Sequence, residues 1–171
     1  DAPSIATVTS AGAITGVTLA FEVSRTHRPA VPASQARPAS WPRRLSMAAV
    51  WTGQSASTPA MLGRLRAYRE RDATRFASHM ERLGANAGQA VAAWNAEDTA
   101  GILGAIAGYE SGLRKLDEAA GIGIFSPVHE RLRSIAVKHG AVYKPSGAGG
   151  GDFGIALTDS RTVDQAVRAA Y

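Results

Sequence analysis

The sequence predicts an α+β domain in which strands lie at both ends of a helical middle. β-branched and other apolar residues concentrate in short segments near the two ends, such as residues 45–51 and 153–157. Between these segments, apolar residues recur at steps of three and four, the period of amphipathic helices. Hydroxyl residues followed by proline, at Thr58-Pro59 and Ser126-Pro127, mark two helix starts.

Composition narrows the classes of function. The chain has no cysteine, which excludes disulfides, thiolate metal sites and cysteine nucleophiles. The net charge of +5 comes from 19 Lys and Arg against 14 Asp and Glu, without a long basic run, so we expect no nucleic-acid partner. A mild positive charge suits an anionic small substrate. No apolar run approaches the roughly twenty residues of a membrane span, so we expect no membrane partner and a soluble, cytoplasmic protein.

The first part of the chain differs in composition from the rest. Residues 1–24 are small and β-branched, with strand character strongest at residues 14–19. Four prolines then fall among arginines, serines and alanines, a composition that sustains neither a helix nor a central strand. We therefore predict a Pro/Arg-rich connector at residues 25–46 and a main domain at residues 47–171. Because the chain begins with Asp1, we expect it to be a segment of a longer protein.

The main domain is predicted to open with a strand and three helices. Residues 45–51 form a buried strand, and Thr58 is the expected N-cap of a first helix that ends near Arg71. The apolar stripe of a second helix, at about residues 72–94, is Phe76, Met80, Leu83, Ala87, Val91 and Trp94. A third helix, at about residues 99–119, carries Ile102, Ile106, Tyr109, Leu113 and Leu116. Its Gly101, Gly104, Gly108 and Gly112 would weaken this helix, unless they let a neighbouring helix approach closely.

The last third of the chain is predicted to be mixed. Ser126-Pro127 begins a fourth helix that runs to about His139, with Gly140 as its stop. Strands at residues 141–143 and 153–157 follow on either side of a glycine-rich loop, and a last helix begins near Arg161. This order is consistent with a ferredoxin-like split β-α-β that carries inserted helices.

The loop between those two strands is the most unusual stretch of the chain. Five of the eight residues from Gly147 to Gly154 are glycine, although glycine loses more conformational entropy on ordering than any other residue. Glycine allows successive amides to point into one concavity, so we predict an anion-binding loop rather than a flexible linker. The dinucleotide pattern G-x-G-x-x-G fits residues 149–154 only weakly, because a strand follows where a helix is required. A Walker-type P-loop pattern is absent.

Two motifs resemble the GHMP family of small-molecule kinases. Residues 146–156 read SGAGGGDFGIA and are similar to the C-terminal glycine motif of that family, in the form found in members that phosphorylate phosphomevalonate. Residues 51–58 read WTGQSAST and resemble the family's W-T-G-x-x-A-S-[ST] segment. Phe153 stands where the family usually has cysteine.

The resemblance implies a fold and a domain organisation. Residues 47–171 would be the ferredoxin-like split β-α-β C-terminal domain with inserted helices, a domain that normally continues into one more strand. Residues 1–24 would be the end of the family's N-terminal domain, joined through the connector at residues 25–46. The family has an aspartate at the position of Ser4, and a serine cannot replace a carboxylate as a base. The catalytic residue is therefore unknown.

The resemblance also implies a set of ligand-binding residues. The substrate-binding set is Lys144, Ser146, Gly147, Ala148, Ser57 and Thr58, and the phosphate loop is Gly149, Gly150, Gly151 and Asp152. Three of them have alternative roles: Lys144 as a solvated surface lysine, Thr58 as a helix N-cap, and Asp152 as a cap that accepts N–H bonds of the loop. No metal site or Ser-His-Asp arrangement is expected among His27, His79, His129 and His139, which share no spacing.

The implied activity is the ATP-dependent phosphorylation of 5-phosphomevalonate to 5-diphosphomevalonate, a step of the mevalonate pathway to isoprenoid precursors. ATP and Mg²⁺ would bind mainly to the N-terminal domain, so this phosphotransferase segment is expected to be inactive alone. The partner would be a phosphorylated small molecule, and a homodimer remains open. The alternatives are another GHMP small-molecule kinase, such as one that acts on mevalonate, and a non-catalytic ferredoxin-like ligand-binding module.

Overall fold

The structure is a computed structural model that describes residues 5–7 and 40–170. In chain order its elements are β1 (Ile5–Thr7), β2 (Ser46–Trp51), α1 (Thr58–Arg71), α2 (Ala73–Asn95), α3 (Thr99–Ala120), α4 (Pro127–Lys138), β3 (Val142–Pro145), β4 (Phe153–Thr158) and α5 (Arg161–Ala170). The strand predicted at residues 14–19, Ser4 and the connector up to residue 39 lie outside the described residues.

The strands form one antiparallel sheet in the order β1-β2-β4-β3. β2 and β4 pair along their whole length, from Ser46 opposite Thr158 to Trp51 opposite Phe153. β3 pairs with the other side of β4, where Pro145 lies opposite Gly154. The glycine-rich loop between β3 and β4 therefore lies at the end of the sheet where β2 stops and the WTGQSAST segment begins.

One face of the sheet packs against α2 and α3. The buried residues of this core cluster are Leu45, Met47, Ile102, Ile106, Ile155 and Leu157. Trp41 packs edge-to-face on Trp94 of α2, with ring centroids 5.2 Å apart, and its indole N–H donates to the carbonyl of Leu45. The described end of the predicted connector is therefore packed against this domain.

The opposite face packs against α4 and α5. Its buried residues are Ala48, Val50, Leu132, Ala136, Ala141, Tyr143, Ala156 and Val167. Because successive strand residues point to opposite faces, Tyr143 faces α4 and α5 whereas Lys144 faces the α3 side. The hairpin that ends in the glycine loop is thus buried on both faces.

A third core cluster lies among α1, α2 and α3, with Met61, Tyr68, Leu83, Leu116, Ile122 and Ile124 as its buried residues. Of the two alternatives for the α3 glycines, the close approach of a neighbouring helix is found at three of the four. A Cβ on Gly101 would lie 3.0 Å from the Cβ atom of Ala93 in α2. A Cβ on Gly108 would lie 2.7 Å from the Oδ1 atom of Asn86, and one on Gly112 would lie 2.9 Å from the Cδ2 atom of Leu83. A Cβ on Gly104 would meet nothing within 4 Å.

The predicted stripe of α2 is wrong at Val91. The Val91 side chain is 53% exposed, whereas Ala90 is buried. The buried stripe steps from Leu83 to Ala90, and the next residue along an α-helix is rotated by about 100°. The small Ala90 side chain, rather than the larger apolar one, therefore lies on the packed side of the helix.

Helix starts follow local capping signals. The side chains of Asp72, Asp98 and Ser126 accept backbone N–H bonds at the N-termini of α2, α3 and α4. The prediction that Thr58 is an N-cap is wrong, because α1 begins at Thr58 itself and Ser57 occupies the cap position. Ser57 makes no side-chain capping bond, so its hydroxyl is not used by the helix.

This architecture confirms the predicted α+β fold, a split β-α-β with inserted helices. The division of the chain at residues 24 and 46 stays a prediction. None of the helices within residues 40–170 combines the length and the apolarity that crossing a bilayer requires.

Candidate functional site

The glycine loop, residues 146–152, is a hairpin connection whose ends are tied by the sheet. Its first amide, on Ser146, donates to the carbonyl of Phe153 at 2.8 Å. The backbone dihedral φ is positive at Gly147, Gly149, Gly150 and Asp152. Positive φ is accessible to glycine at little steric cost, which explains the glycine content of the loop.

Two neighbouring segments hold the loop in place through backbone hydrogen bonds. The amide of Gly150 donates to the carbonyl of Ile124 at 2.7 Å, and the amide of Asp152 donates to the carbonyl of Gln54 at 2.7 Å. The carbonyl of Asp152 accepts from the amide of Thr52 at 2.8 Å. The two motifs quoted from the sequence, far apart in the chain, are therefore in direct contact.

The loop lies so close to its neighbours that side chains would not fit at two positions. A Cβ on Gly149 would lie 2.6 Å from the Cγ2 atom of Ile124. A Cβ on Gly151 would lie 2.7 Å from the carbonyl oxygen of Gln54 and 3.0 Å from the amide nitrogen of Ala56. Since backbone atoms cannot move aside cheaply, these glycines are required for packing as well as for conformation.

Four amides of the loop, those of Gly147, Ala148, Gly149 and Gly151, donate no hydrogen bond to any residue that the structure describes. The sign of φ is positive at Gly147 and Gly149 but not at Ala148 between them. Such alternation turns successive N–H groups toward one side, the backbone geometry found in anion-binding concavities. The amide of Gly150 is not part of this set, because it donates to the carbonyl of Ile124.

Lys144 lies on β3 immediately before the loop and is buried, with 9% of its surface exposed. The alternative of a solvated surface lysine is therefore wrong. Burial lowers the pKa of Lys144 from its ordinary 10.5 to about 8. Its ammonium donates to the carbonyl of Pro145 at 2.6 Å, which leaves two of its three donors for other groups.

Ser57 and Thr58 follow the segment that contacts Gly151, and both are exposed. They follow directly after Ala56, whose backbone nitrogen lies next to Gly151. Asp152 is only half-buried, and no described N–H group donates to its carboxylate. Its main chain, rather than its side chain, holds the loop, so the alternative that its carboxylate caps the loop is wrong.

Sequence reasoning missed His129, which is fully buried beneath the loop. Its Nε2 atom lies 2.9 Å from the carbonyl oxygen of Gly151, and its Nδ1 atom lies 2.6 Å from the hydroxyl of Tyr143. Because a carbonyl only accepts, we assign the proton to Nε2, and Nδ1 then accepts from the Tyr143 hydroxyl. The available signal was a polar residue on the apolar stripe of α4, three positions before Leu132.

Burial lowers the pKa of His129 below its ordinary value of 6.5. The Gly151 carbonyl and the carboxylates of Asp152 and Glu130 oppose this shift, and the charge of Lys144 adds to it. The ring is therefore neutral at pH 7, in agreement with the tautomer assigned from its two partners.

Phe153 and Trp51 form an exposed aromatic edge beside the loop. Their ring centroids are 5.1 Å apart, and Phe153 is 41% exposed. The pair lies on the same face of the sheet as Lys144, one row further out. The site thus combines available amides and a buried cation with an apolar border.

A family model described as GHMP kinases C terminal matches residues 65–171, more than half of the chain. The chain belongs to the GHMP kinase family. Among curated proteins, this GHMP kinase domain is similar to phosphomevalonate kinase of Streptomyces sp. (strain CL190), with 34% identity over 138 residues. That match covers 81% of this chain and 37% of the relative, so the chain spans little more than a third of the relative's length.

Two solved structures resemble this GHMP kinase domain. The crystal structure of a Lin0012 protein from Listeria innocua matches with a TM-score of 0.69 and 24% identity, over 72% of this chain and 35% of that one. The crystal structure of L. major mevalonate kinase in complex with R-mevalonate matches with a TM-score of 0.64 and 20% identity, over 72% and 36%. At these identities the two structures support the fold alone.

The GHMP kinase domain has hydrogen-bond donors at and next to the loop that suit a phosphoryl group. Within residues 40–170, no three His, Asp or Glu side chains come close enough to hold a metal ion together. The available groups are backbone amides and the Lys144 ammonium, which are the donors that a phosphoryl group accepts from.

Proposed function

We propose that this chain supplies the substrate-phosphate side of the active site of a GHMP kinase that converts 5-phosphomevalonate and ATP to 5-diphosphomevalonate and ADP. The proposal combines the established family with the 34% identity to a phosphomevalonate kinase. Phosphoryl transfer asks a protein mainly for positioning and for neutralisation of charge on the phosphoryl oxygens. The glycine loop and Lys144 are suited to that work.

The observation that carries the proposal is the set of loop amides without an acceptor. The four N–H groups belong to Gly147, Ala148, Gly149 and Gly151, a few residues after the buried Lys144 in the chain. Hydrogen-bond donors that stay unpaired in a folded protein lower its stability, unless a ligand or water accepts their hydrogen bonds. A phosphate offers several strong acceptor oxygens to such a set.

The hydroxyls of Ser57, Thr58 and Ser146 are proposed to contact the same substrate. Ser57 is free of any capping bond, and Thr58 lies in the first turn of α1, next to the segment that touches Gly151. The N-terminus of a helix favours negative charge, so α1 adds to the attraction for an anion. In this proposal these groups would bind the substrate together with the loop amides.

ATP and Mg²⁺ are proposed to bind mainly to residues outside this chain, as the family resemblance implies. When bound, they supply the transferred phosphoryl group and neutralise its charge. The residues of this chain would hold the acceptor phosphate still and exclude water around it. The chain alone is therefore expected to bind a phosphorylated compound without turning it over.

The test uses the intact natural enzyme that contains this chain. ADP release is measured with ATP and either phosphomevalonate or mevalonate, for the wild type and for Lys144→Met. We expect consumption of phosphomevalonate only, and a KM for it that rises about tenfold or more in the variant, because a charge-assisted contact is lost. Lys138→Met, which removes an exposed lysine at the end of α4, is the matched control and should leave KM unchanged.

The outcomes separate the alternatives. Turnover of mevalonate in place of phosphomevalonate would overturn the substrate and keep the family activity. No ADP release with either compound would favour a non-catalytic ligand-binding module. An unchanged KM in Lys144→Met would remove Lys144 from the binding site.

A further inference from the structure

His129 is a polar side chain at a position where burial of an apolar side chain would cost less free energy. It is fully buried on the face of α4 that carries Leu132 and Ala136. Burial of an imidazole is unfavourable unless both nitrogens find partners. Both do, and one partner is a carbonyl of the glycine loop. The cost of burying this ring is therefore tied to the geometry of the loop.

The peptide that His129 contacts is held at both of its polar ends. The Gly151 carbonyl accepts from His129 Nε2 at 2.9 Å, and the amide of the same peptide, on Asp152, donates to Gln54 at 2.7 Å. A peptide plane with both ends bonded cannot rotate freely. It also restrains the α-carbon of Gly151, through which it is joined to the preceding peptide that carries the Gly151 amide.

Tyr143 favours one tautomer of the His129 imidazole. Its hydroxyl lies 2.6 Å from His129 Nδ1 and donates to that nitrogen when the imidazole is neutral. This contact favours the tautomer that carries the proton on Nε2, the atom that faces the loop. Without the hydroxyl, the other tautomer would place a lone pair against the Gly151 carbonyl and repel it.

We propose that His129 is a positioning residue, which holds the glycine loop in its anion-accepting conformation by donating from Nε2 to the Gly151 carbonyl, with Tyr143 fixing the required tautomer. The proposal rests on the proposed function, since it assumes that the loop amides bind a phosphoryl group. His129 itself touches no substrate in this scheme and acts only through the loop.

The charges around the ring define how pH enters. Asp152 of the loop and Glu130 of α4 favour the protonated ring, and Lys144 of β3 disfavours it. A protonated ring carries a hydrogen on each nitrogen, so it still donates from Nε2 to the Gly151 carbonyl and can donate from Nδ1 to the Tyr143 oxygen. Protonation would therefore reverse the bond to Tyr143 and keep the bond to the loop.

The experiment compares His129→Gln and His129→Leu in the intact natural enzyme that contains this chain. The amide of glutamine can still donate to Gly151, whereas leucine fills the space and leaves the carbonyl unpaired. We expect KM for phosphomevalonate to rise about tenfold in His129→Leu and to stay within about threefold of the wild type in His129→Gln.

A purely structural role would give a different result. It would lower the melting temperature of both variants and leave KM unchanged, and that outcome would overturn the proposal. If His129→Leu does not fold, Tyr143→Phe provides the second test. Two-bond ¹⁵N–¹H spectra should then show His129 Nε2 protonation falling in Tyr143→Phe, with a parallel rise in KM, and an unchanged tautomer and KM would likewise overturn it.

Amide spectra separate this inference from the proposed function. In enzyme labelled with ¹⁵N-glycine, titration with inorganic pyrophosphate should shift the resonances of Gly147, Gly149 and Gly151. Absence of any shift in the wild type would refute the proposed anion-binding loop. Displacement of the same resonances by His129→Leu without ligand would still support the positioning role, whereas identical ligand-free spectra would refute it.

Discussion

The hydroxyl of Tyr143 lies directly over the α-carbon of Gly154, where a Cβ would fall well inside van der Waals contact with it. Gly154 is paired with Pro145 of β3. Tyr143 lies two residues before Pro145 on the same face of the sheet, so its side chain extends along the sheet to Gly154. The absence of a side chain at Gly154 is what allows the hydroxyl to reach His129. Gly154, the last glycine of the motif, thus makes room for the Tyr143–His129 contact beneath the loop and is not itself part of the loop.

Gly154→Ala is expected to destabilise the chain by about 1–3 kcal/mol, the usual cost of overpacking a core. Urea denaturation followed by tryptophan fluorescence measures the change. The double variant Tyr143→Phe/Gly154→Ala removes the hydroxyl that the new methyl group meets and should recover part of the loss. Equal stability of Gly154→Ala and the wild type would contradict the packing described here.

Lys144 should make stability depend on pH in the alkaline range. Its pKa is about 8 in the folded chain, against 10.5 ordinarily. Between these values the unfolded chain keeps the proton that the folded chain has lost, so the free energy of unfolding rises with pH, by about 3 kcal/mol in total. Denaturation midpoints at pH 7 to 10.5 in the wild type and in Lys144→Met test this.

In Lys144→Met no buried ammonium remains. The variant should be more stable than the wild type at pH 7 and should lack the rise between pH 8 and 10.5, because methionine buries a similar volume without charge. Lys138→Met, at an exposed position, should retain the wild-type profile. A Lys144→Met profile parallel to that of the wild type would assign the pH dependence to another group.

The α3 glycines offer a matched pair of substitutions. Gly104→Ala meets no atom within 4 Å and should stabilise the chain by about 0.5–1 kcal/mol, the difference in helix propensity between glycine and alanine. Gly112→Ala pushes against the buried Leu83 side chain and should be less stable than Gly104→Ala by roughly 1–3 kcal/mol. Thermal melts of the two variants under one set of conditions decide the point, and equal melting temperatures would argue against close packing of α2 on α3.

A buried carboxylate joins α3 to α4. Glu110, 7% exposed, accepts from Arg133 of α4 at 2.9 Å and also contacts Arg114. Arg114 in turn donates two hydrogen bonds to Glu130, at 2.6 and 3.0 Å. This network fixes the position of the helix that carries His129.

Glu110→Ala should therefore destabilise the chain by about 2 kcal/mol, because hydrogen bonds to charged groups are lost and two arginines face each other without the carboxylate. The two guanidinium groups are partly exposed, which limits the loss. Glu118→Ala, an exposed position on the same helix, is the control and should change stability little. Guanidinium chloride denaturation measures both, and equal effects would show that the network does not stabilise the chain.

Much of the secondary structure was predictable from local patterns. Ser126-Pro127 marks the start of α4, and the strands on both sides of the glycine loop fall close to their predicted places. These signals are local because capping, proline geometry and helix periodicity involve residues within one or two turns. Val91 shows their limit, since the pattern fits two neighbouring faces of a long helix and only the packing of α3 selects one.

The sequence by itself determined the α+β character of the chain, the family motif and the glycine-rich loop between the last two strands, because these depend on residue types and short spacings. Tertiary structure alone decided which loop amides donate hydrogen bonds within the chain and which do not. The acceptors that take Gly150 and Asp152, at Ile124 and Gln54, come from distant parts of the chain. It also decided that Lys144 and His129 are buried, since burial depends on which helices cover a hairpin, and no local pattern encodes that.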